Sequence, residues 1–389
     1  RGGSARLGKF QPDSAISEAS DLTPFAFVIH PLHARDVARK YPIARLLPDA
    51  AIEAFLRRKS AMEVSRITGI RSLTGETTEG WFVGCPLTAR QLAGGIPTEA
   101  AYEKVLEAVE LGAKLGAKVV GLGAFTAVVG DAGVTIARRA SVAVTTGNSY
   151  TVATAIEGTL KACRLVGFEP AGATLAVVGA TGSIGKTCAQ VLGSEFGRTV
   201  LVGRDLDRTR EVAATIPGSV ATVGLDLLKD ADAIVSVTSS DTAIIEPRHL
   251  KTGAIVCDVA RPRDVSVRVA KERRDVLVIE GGVVSVPGDV DFGFNFGFPP
   301  KTAYACMAET MLLALEHRSE AYTTGKDVSE HQVRETLGWA SKHGFKLAGF
   351  RTFERAVDAD TINRVRAARG IEPAPVGPMA ASLGLEPGP

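Results

Sequence analysis

Short, continuous apolar runs punctuate this chain at regular intervals. Phe25 to Ile29 (FAFVI), Lys118 to Leu122 (KVVGL), Leu175 to Val178 (LAVV), Thr199 to Val202 (TVLV), Ala233 to Val237 (AIVSV), Ala254 to Asp258 (AIVCD) and Val276 to Glu280 (VLVIE) each have strand length. Each reads as a strand, and Leu175 to Val178, apolar throughout, reads as a buried parallel one. Stretches of helical period lie between them. Asp49 to Arg58 is one. Thr98 is placed to cap another through Lys114, with Ala101, Val105, Ala108, Val109 and Ala113 at helical intervals. Ser149 to Val166, Lys186 to Leu192, Ala303 to His317 and Val328 to His343 are the remaining predicted helices.

The strand at Leu175 to Val178 runs directly into glycines. Gly179, Ala180, Thr181, Gly182, Ser183, Ile184 and Gly185 form a strand–turn–helix glycine motif. The glycines let the backbone approach a pyrophosphate, and the following helix turns its positive end toward it. Dinucleotide binding follows, in a Rossmann-type doubly wound parallel sheet. The next strand, Thr199 to Val202, ends at Gly203 and Arg204 rather than at an acidic side chain. A cation there suits a ribose 2′-phosphate, so NADPH is the expected cofactor, with Arg208 in reach from the next turn. Thr238 and Ser239 close the strand Ala233 to Val237 and belong to the loops gathered around the cofactor.

The fold class is therefore α/β. An N-terminal α/β substrate domain precedes the Rossmann-type sheet, and C-terminal helices pack back. The expected boundaries are a disordered tail over 1–20, the first domain over 21–148, the NADP-binding domain over 149–300, a helical segment over 301–370 and a Pro/Gly-rich disordered tail over 371–389. A length of 389 residues suits two cores.

Composition narrows the function classes. The net charge of +2 implies no polyelectrolyte partner, and the few aromatic residues do not interleave with basic ones, which argues against nucleic acid. The basic clusters at Arg57 to Lys59, at Arg138 with Arg139, and at Arg261 with Arg263 read as solvated faces or docking sites for an acidic partner. Five scattered cysteines (Cys85, Cys163, Cys188, Cys257, Cys306) have no metal-ligand spacing and no disulfide framework. That points to a reducing, cytoplasmic setting and no metal. The N-terminus lacks the apolar core of a signal peptide, and no apolar stretch is long enough to span a bilayer.

Several stretches together resemble the cyanobacterial long-chain acyl-ACP reductases. They are Gly121 to Thr126 (GLGAFT), Thr145 to Thr151 (TTGNSYT), Ala176 to Gly185 (AVVGATGSIG), Glu280 to Val283 (EGGV), Ala303 to Glu309 (AYACMAE) and Ala340 to Phe345 (ASKHGF). They keep that family's order over roughly residues 25 to 350. The resemblance implies an NADPH-dependent reduction of a fatty acyl thioester, on acyl carrier protein or CoA, to an aldehyde, with an aldehyde-consuming enzyme as a possible partner. It also makes Cys306 the nucleophile that carries the acyl group. A helix starting near Pro299 and Pro300 would lower the thiol pKa through its dipole. Thr126, Thr146, Asn148 and Ser149 are candidate donors to the carbonyl oxygen, although Thr146 or Asn148 could equally cap the helix at Ser149. The Phe-rich run Val290 to Pro300 departs from the family's pattern and leaves the shape of an acyl pocket open. Two other readings stay open. One is an alcohol or polyol dehydrogenase of shikimate-dehydrogenase type, which needs a Lys/Asp pair; Lys114, Lys118 and Asp131 lie near the right elements but not in that family's motif. The other is a nucleotide-binding sensor without turnover.

Overall fold

A computed structural model describes residues 22–39, 42–353 and 355–375. The first expected tail and most of the second lie outside the described residues. Two six-stranded sheets organise the chain. The first contains β1 (Phe25–Ile29), β2 (Met62–Arg71), β3 (Thr77–Gly84), β4 (Val119–Leu122) and β5 (Ala143–Thr145). The second contains β6 (Thr174–Val178), β7 (Arg198–Val202), β8 (Ser219–Thr222), β9 (Ala233–Ser236), β10 (Ile255–Asp258) and β11 (Leu277–Glu280). β12 (Val283–Ser285), β13 (Gly288–Asp291) and β14 (Thr302–Tyr304) follow. The principal helices are α1 (Asp49–Arg57), α2 (Thr98–Lys114), α3 (Phe125–Val128), α4 (Val134–Arg139), α5 (Asn148–Val166), α6 (Ser183–Gly193), α7 (Leu206–Ala213), α8 (Val267–Glu272), α9 (Ala305–Leu315), α10 (Glu330–His343) and α11 (Ala359–Ala368).

The second sheet has the order β11-β10-β9-β6-β7-β8 with every pair parallel. This is the doubly wound arrangement expected from the apolar runs. Its order reverses between β6 and β9, where a crevice opens beyond the strand ends. Alternation inside β6 feeds two cores. Leu175 and Val177 face one hydrophobic cluster, while Ala176 and Val178 face another on the opposite side. In the first sheet β3, β1, β4 and β5 are parallel, and β2 pairs antiparallel with β3. β1 is two-faced in the same way. Phe25 and Phe27 belong to the core shared with the second sheet, while Ala26 and Val28 pack under α2.

Four expectations change. β13 falls within the 149–300 range expected for the nucleotide domain but pairs antiparallel with β2 at the edge of the first sheet. The helix expected from Ala303, or from Pro299 and Pro300, begins only at Ala305, because Thr302–Tyr304 pairs with β12 first. Thr98 is the first residue of α2 and makes no capping hydrogen bond, with Pro97 in the cap position. Neither Thr146 nor Asn148 caps α5, whose cap position is Gly147.

α9 is apolar almost all round, and its buried residues Met311, Leu312 and Leu313 lie in the core common to both sheets. Such a helix is held by burial rather than by amphipathic balance. Leu312→Ala is expected to destabilise the chain by about 2–5 kcal/mol, as a large-to-small change in a closed core does. The measurement is the urea midpoint with unchanged slope.

Candidate functional site

The site lies where the starts of α5, α6 and α9 converge. Cys306 is the second residue of α9, and it is partly exposed while the other four cysteines are buried. Gly147 sits against its backbone. A Cβ on Gly147 would lie 2.3 Å from Cys306 Cα, and φ there is +73°, so only glycine fits. Asn148 then reaches the nucleotide loop, its Nδ2 donating to Ser183 Oγ at 3.0 Å. One short loop therefore touches both the cysteine and the glycine motif.

Beneath this contact lies a carboxylate, the last residue of AYACMAE, whose role the motif does not announce. Glu309 is fully buried. It accepts hydrogen bonds from the Thr145 hydroxyl at 2.6 Å, the Ser149 hydroxyl at 2.6 Å, the Tyr150 backbone N–H at 2.9 Å and the Thr323 hydroxyl. Tyr150 N–H is one of the unpaired donors at the start of α5, so Glu309 does what a cap residue would do. The charge also suits the positive end of a 19-residue helix. The signal that could have located it was an acid one turn after Cys306 in an otherwise apolar helix, since buried carboxylates need partners.

Most of the proposed oxyanion donors are occupied. The Thr126 hydroxyl donates to Gly123 O at 2.7 Å, the Thr146 hydroxyl to Thr323 O, and the Ser149 hydroxyl to Glu309. The Asn148 amide has two N–H groups and spends one of them on Ser183. His30, at the end of β1, is no base for this site. Its Nε2 accepts from Phe125 N–H at 3.1 Å, and burial pushes its pKa down to about 4.

The Cys306 thiol does not become acidic. Burial pushes it up to about 12, against the Met307 N–H, and the nearby Glu309 charge adds to the rise. This reverses the expected direction of the helix effect, since desolvation of a thiolate outweighs one turn of helix. Ahead of Cys306, the Phe-rich run builds an aromatic chain. Phe82 meets Phe292 and Phe296, Phe296 meets Phe298 at 5.5 Å, and Phe298 meets Tyr304 at 4.4 Å between ring centroids. Arg261 Nε donates to Tyr304 Oη at 3.2 Å. Arg261 and Arg263 both face Glu280, so this basic pair is internal rather than a docking cluster.

The nucleotide loop fits a pyrophosphate. Gly179 has φ +88°, and a Cβ on Gly185 would lie 2.2 Å from Gly179 O, so the turn closes only around bare backbone. Ala180 is buried behind the turn, while Thr181 and Ile184 are part-buried and Gly182 is exposed. Thr238 is fixed by Asp264, to which its N–H donates at 2.9 Å, and Ser239 is exposed beside it. Arg204 is exposed at the end of β7. Among the described residues, no group of three or more His, Cys, Asp or Glu is placed to hold a metal, and no helix is long and apolar enough to cross a membrane. The Lys/Asp pair of the alternative reading is not assembled. Lys114 and Lys118 are exposed, and Asp131 accepts from the Thr135 hydroxyl at 2.6 Å.

Residues 162–280 match the family model described as shikimate/quinate 5-dehydrogenase. The long-chain acyl-(acyl-carrier-protein) reductase of Synechococcus elongatus is 29% identical over 330 residues, covering 80% of this chain and 94% of that protein. Aminotransferase PigE of Serratia sp. is 29% identical over 319 residues, covering 79% of this chain but only 37% of that protein. The chain thus spans little more than a third of that relative. Glutamyl-tRNA reductase of Natronomonas pharaonis is 31% identical over 101 residues, 24% of this chain and 22% of that protein. Fold, nucleotide loop and relatives together support a Rossmann-type nucleotide unit of the NAD(P)-dependent oxidoreductase class. Its cofactor is of the nicotinamide class, consistent with NADPH.

Glu309→Ala strips four donors of their acceptor. The expected loss is about 3 kcal/mol or more, since each buried donor left unpaired costs roughly 1–3 kcal/mol. Glu309→Gln should recover most of it, because the three hydroxyls can rotate. Chemical denaturation of the two variants side by side is the measurement.

Proposed function

We propose that the chain reduces a long-chain fatty acyl thioester, carried on acyl carrier protein or CoA, to the fatty aldehyde by way of an acyl group held on Cys306. The observation that carries the proposal is the position of Cys306. It is the one cysteine of five that is not fully buried, and it abuts the loop that bridges to the nucleotide motif. The similarity to the Synechococcus reductase over most of both chains supports the same reading.

In this mechanism the Cys306 sulfur attacks the thioester carbonyl carbon, and the carrier's sulfur leaves with the proton that Cys306 gives up. A thioester needs no strong acid to lose its thiol, which suits a site where His30 is already committed. The second N–H of Asn148 is available to the carbonyl oxygen as it gains charge. NADPH, when bound, supplies the hydride that takes the acyl group to the aldehyde level. Cys306 then leaves as the sulfur of the collapsing adduct and regains a proton. Gly179 to Gly185, with Thr238 and Ser239, would hold the nucleotide, and Arg204 or Arg208 would meet a 2′-phosphate. The aromatic chain from Phe82 to Tyr304 offers the acyl tail an apolar wall.

Incubation with a long-chain acyl thioester in the absence of NADPH should place the acyl mass on the peptide containing Cys306. Cys306→Ser should abolish aldehyde release while NADPH binding persists. Acyl mass on another cysteine, or an active serine variant, would end the proposal. The raised thiol pKa also fixes the pH profile. Below a pKa of about 12 the thiolate fraction grows roughly tenfold per pH unit. Single-turnover acylation should therefore keep rising from pH 7 to 9.5, with no plateau near 8.5, as measured by stopped-flow with pre-formed acyl thioester.

A further inference from the structure

The nucleotide loop has a neighbour that the glycine motif does not reveal. A cavity of about 220 Å³ opens beside it, lined by Thr181, Lys186, Arg208, Glu211, Lys326 and Asp327. Thr181 belongs to the loop, Lys186 to α6, and Arg208 and Glu211 to α7. Lys326 and Asp327 come from outside the nucleotide unit, on the segment between α9 and α10.

Its location follows from Gly203, the residue after β7. A Cβ there would lie 3.2 Å from Thr181 Cγ2, so Thr181 flanks the end of the second strand. In doubly wound nucleotide sheets the ribose 2′ position lies at that strand end. Roughly 300–1,000 Å³ accommodates a whole ligand, so this smaller cavity suits a fragment such as a phosphomonoester. Its charges agree. Lys186 and Asp327 neutralise each other at 2.7 Å and fasten the segment to α6, and the Thr187 hydroxyl adds a bond to Val328 O at 2.9 Å. That leaves Arg208 and Lys326 facing a single acid, Glu211. Neither cation has an ion-pair partner among the described residues. Asp205, the acid nearest the position where a ribose hydroxyl would be read, instead caps α7 through Oδ1, which accepts from Asp207 N–H and Arg208 N–H. Arg204 does not line the cavity.

We propose that this cavity is the 2′-phosphate seat, with Arg208 and Lys326 as its two cations. Discrimination between the phosphorylated and unphosphorylated dinucleotide is therefore shared with a segment outside the nucleotide unit. Three residues before Lys326, the same segment presents Thr323, whose hydroxyl reaches Glu309 and whose carbonyl accepts from Thr146 N–H at 2.9 Å. The inference rests on the nicotinamide-dinucleotide reading and does not depend on the thioester chemistry.

Calorimetric titration of the full chain with adenosine 2′,5′-bisphosphate and with 5′-AMP tests it. Lys326 is exposed, so Lys326→Ala removes a charge without disturbing the core. The expected result is about tenfold weaker bisphosphate binding, in line with the loss of one charge-assisted hydrogen bond, with 5′-AMP binding unchanged. Arg208→Ala should behave likewise, and Lys326→Glu should lower the NADPH-over-NADH preference further. Wild-type bisphosphate affinity in Lys326→Ala, or equal weakening of both probes, would overturn the assignment. Neither probe carries a nicotinamide or a thioester. Failure here therefore leaves the acyl-enzyme proposal standing, and failure of acyl labelling leaves the seat standing.

Discussion

Glu309 is the constraint on which the site depends. A carboxylate without water is expensive unless donors surround it, and here they come from three separate segments. Thr145 ends β5, Ser149 and Tyr150 open α5, and Thr323 lies between α9 and α10. Satisfying one buried charge therefore fixes where α9 begins relative to α5. Cys306 is one turn from Glu309 on the same helix, so the position of the sulfur is a by-product of that charge balance. The same charge disfavours the thiolate, which ties the architecture of the site to its reactivity.

The nucleotide half was legible because its physics is local. Strands buried on both faces must be apolar throughout, and a turn around phosphate must be glycine, so both features appear as runs of letters. β2 and β3 escaped the reading for the opposite reason. The sequence MEVSRITGIR mixes Glu63, Ser65, Arg66 and Arg71 with apolar residues, because a strand near a sheet edge has one wet face. β13 is shorter still and carries Asp289 and Asp291, so nothing in GDVD announces a strand that pairs with one more than two hundred residues away.

The site divides along similar lines. A resemblance singled out Cys306 and the TTGN loop, and the structure brings the two together. Sequence alone offers Thr126, Thr146 and Ser149 as donors or caps, and the fold shows the partners their hydroxyls take. Helix position alone suggested an acidic thiol. Burial, which depends on every element packed around α9, reversed the direction. The Arg261–Tyr304 contact and the partners of Glu309 are long-range, so the only local trace of Glu309 is an acid one turn after Cys306 in an apolar helix.

The return of β13 to the first sheet changes what kind of assembly this is. The nucleotide unit is not the second of two beads on a string. It is an insertion, with the first unit resuming after it to supply its own edge strand. During synthesis the first sheet must wait with β2 uncovered until residue 291 has left the ribosome, and by then the second sheet has every strand it needs. No single cut in the chain therefore leaves both sheets with all their strands.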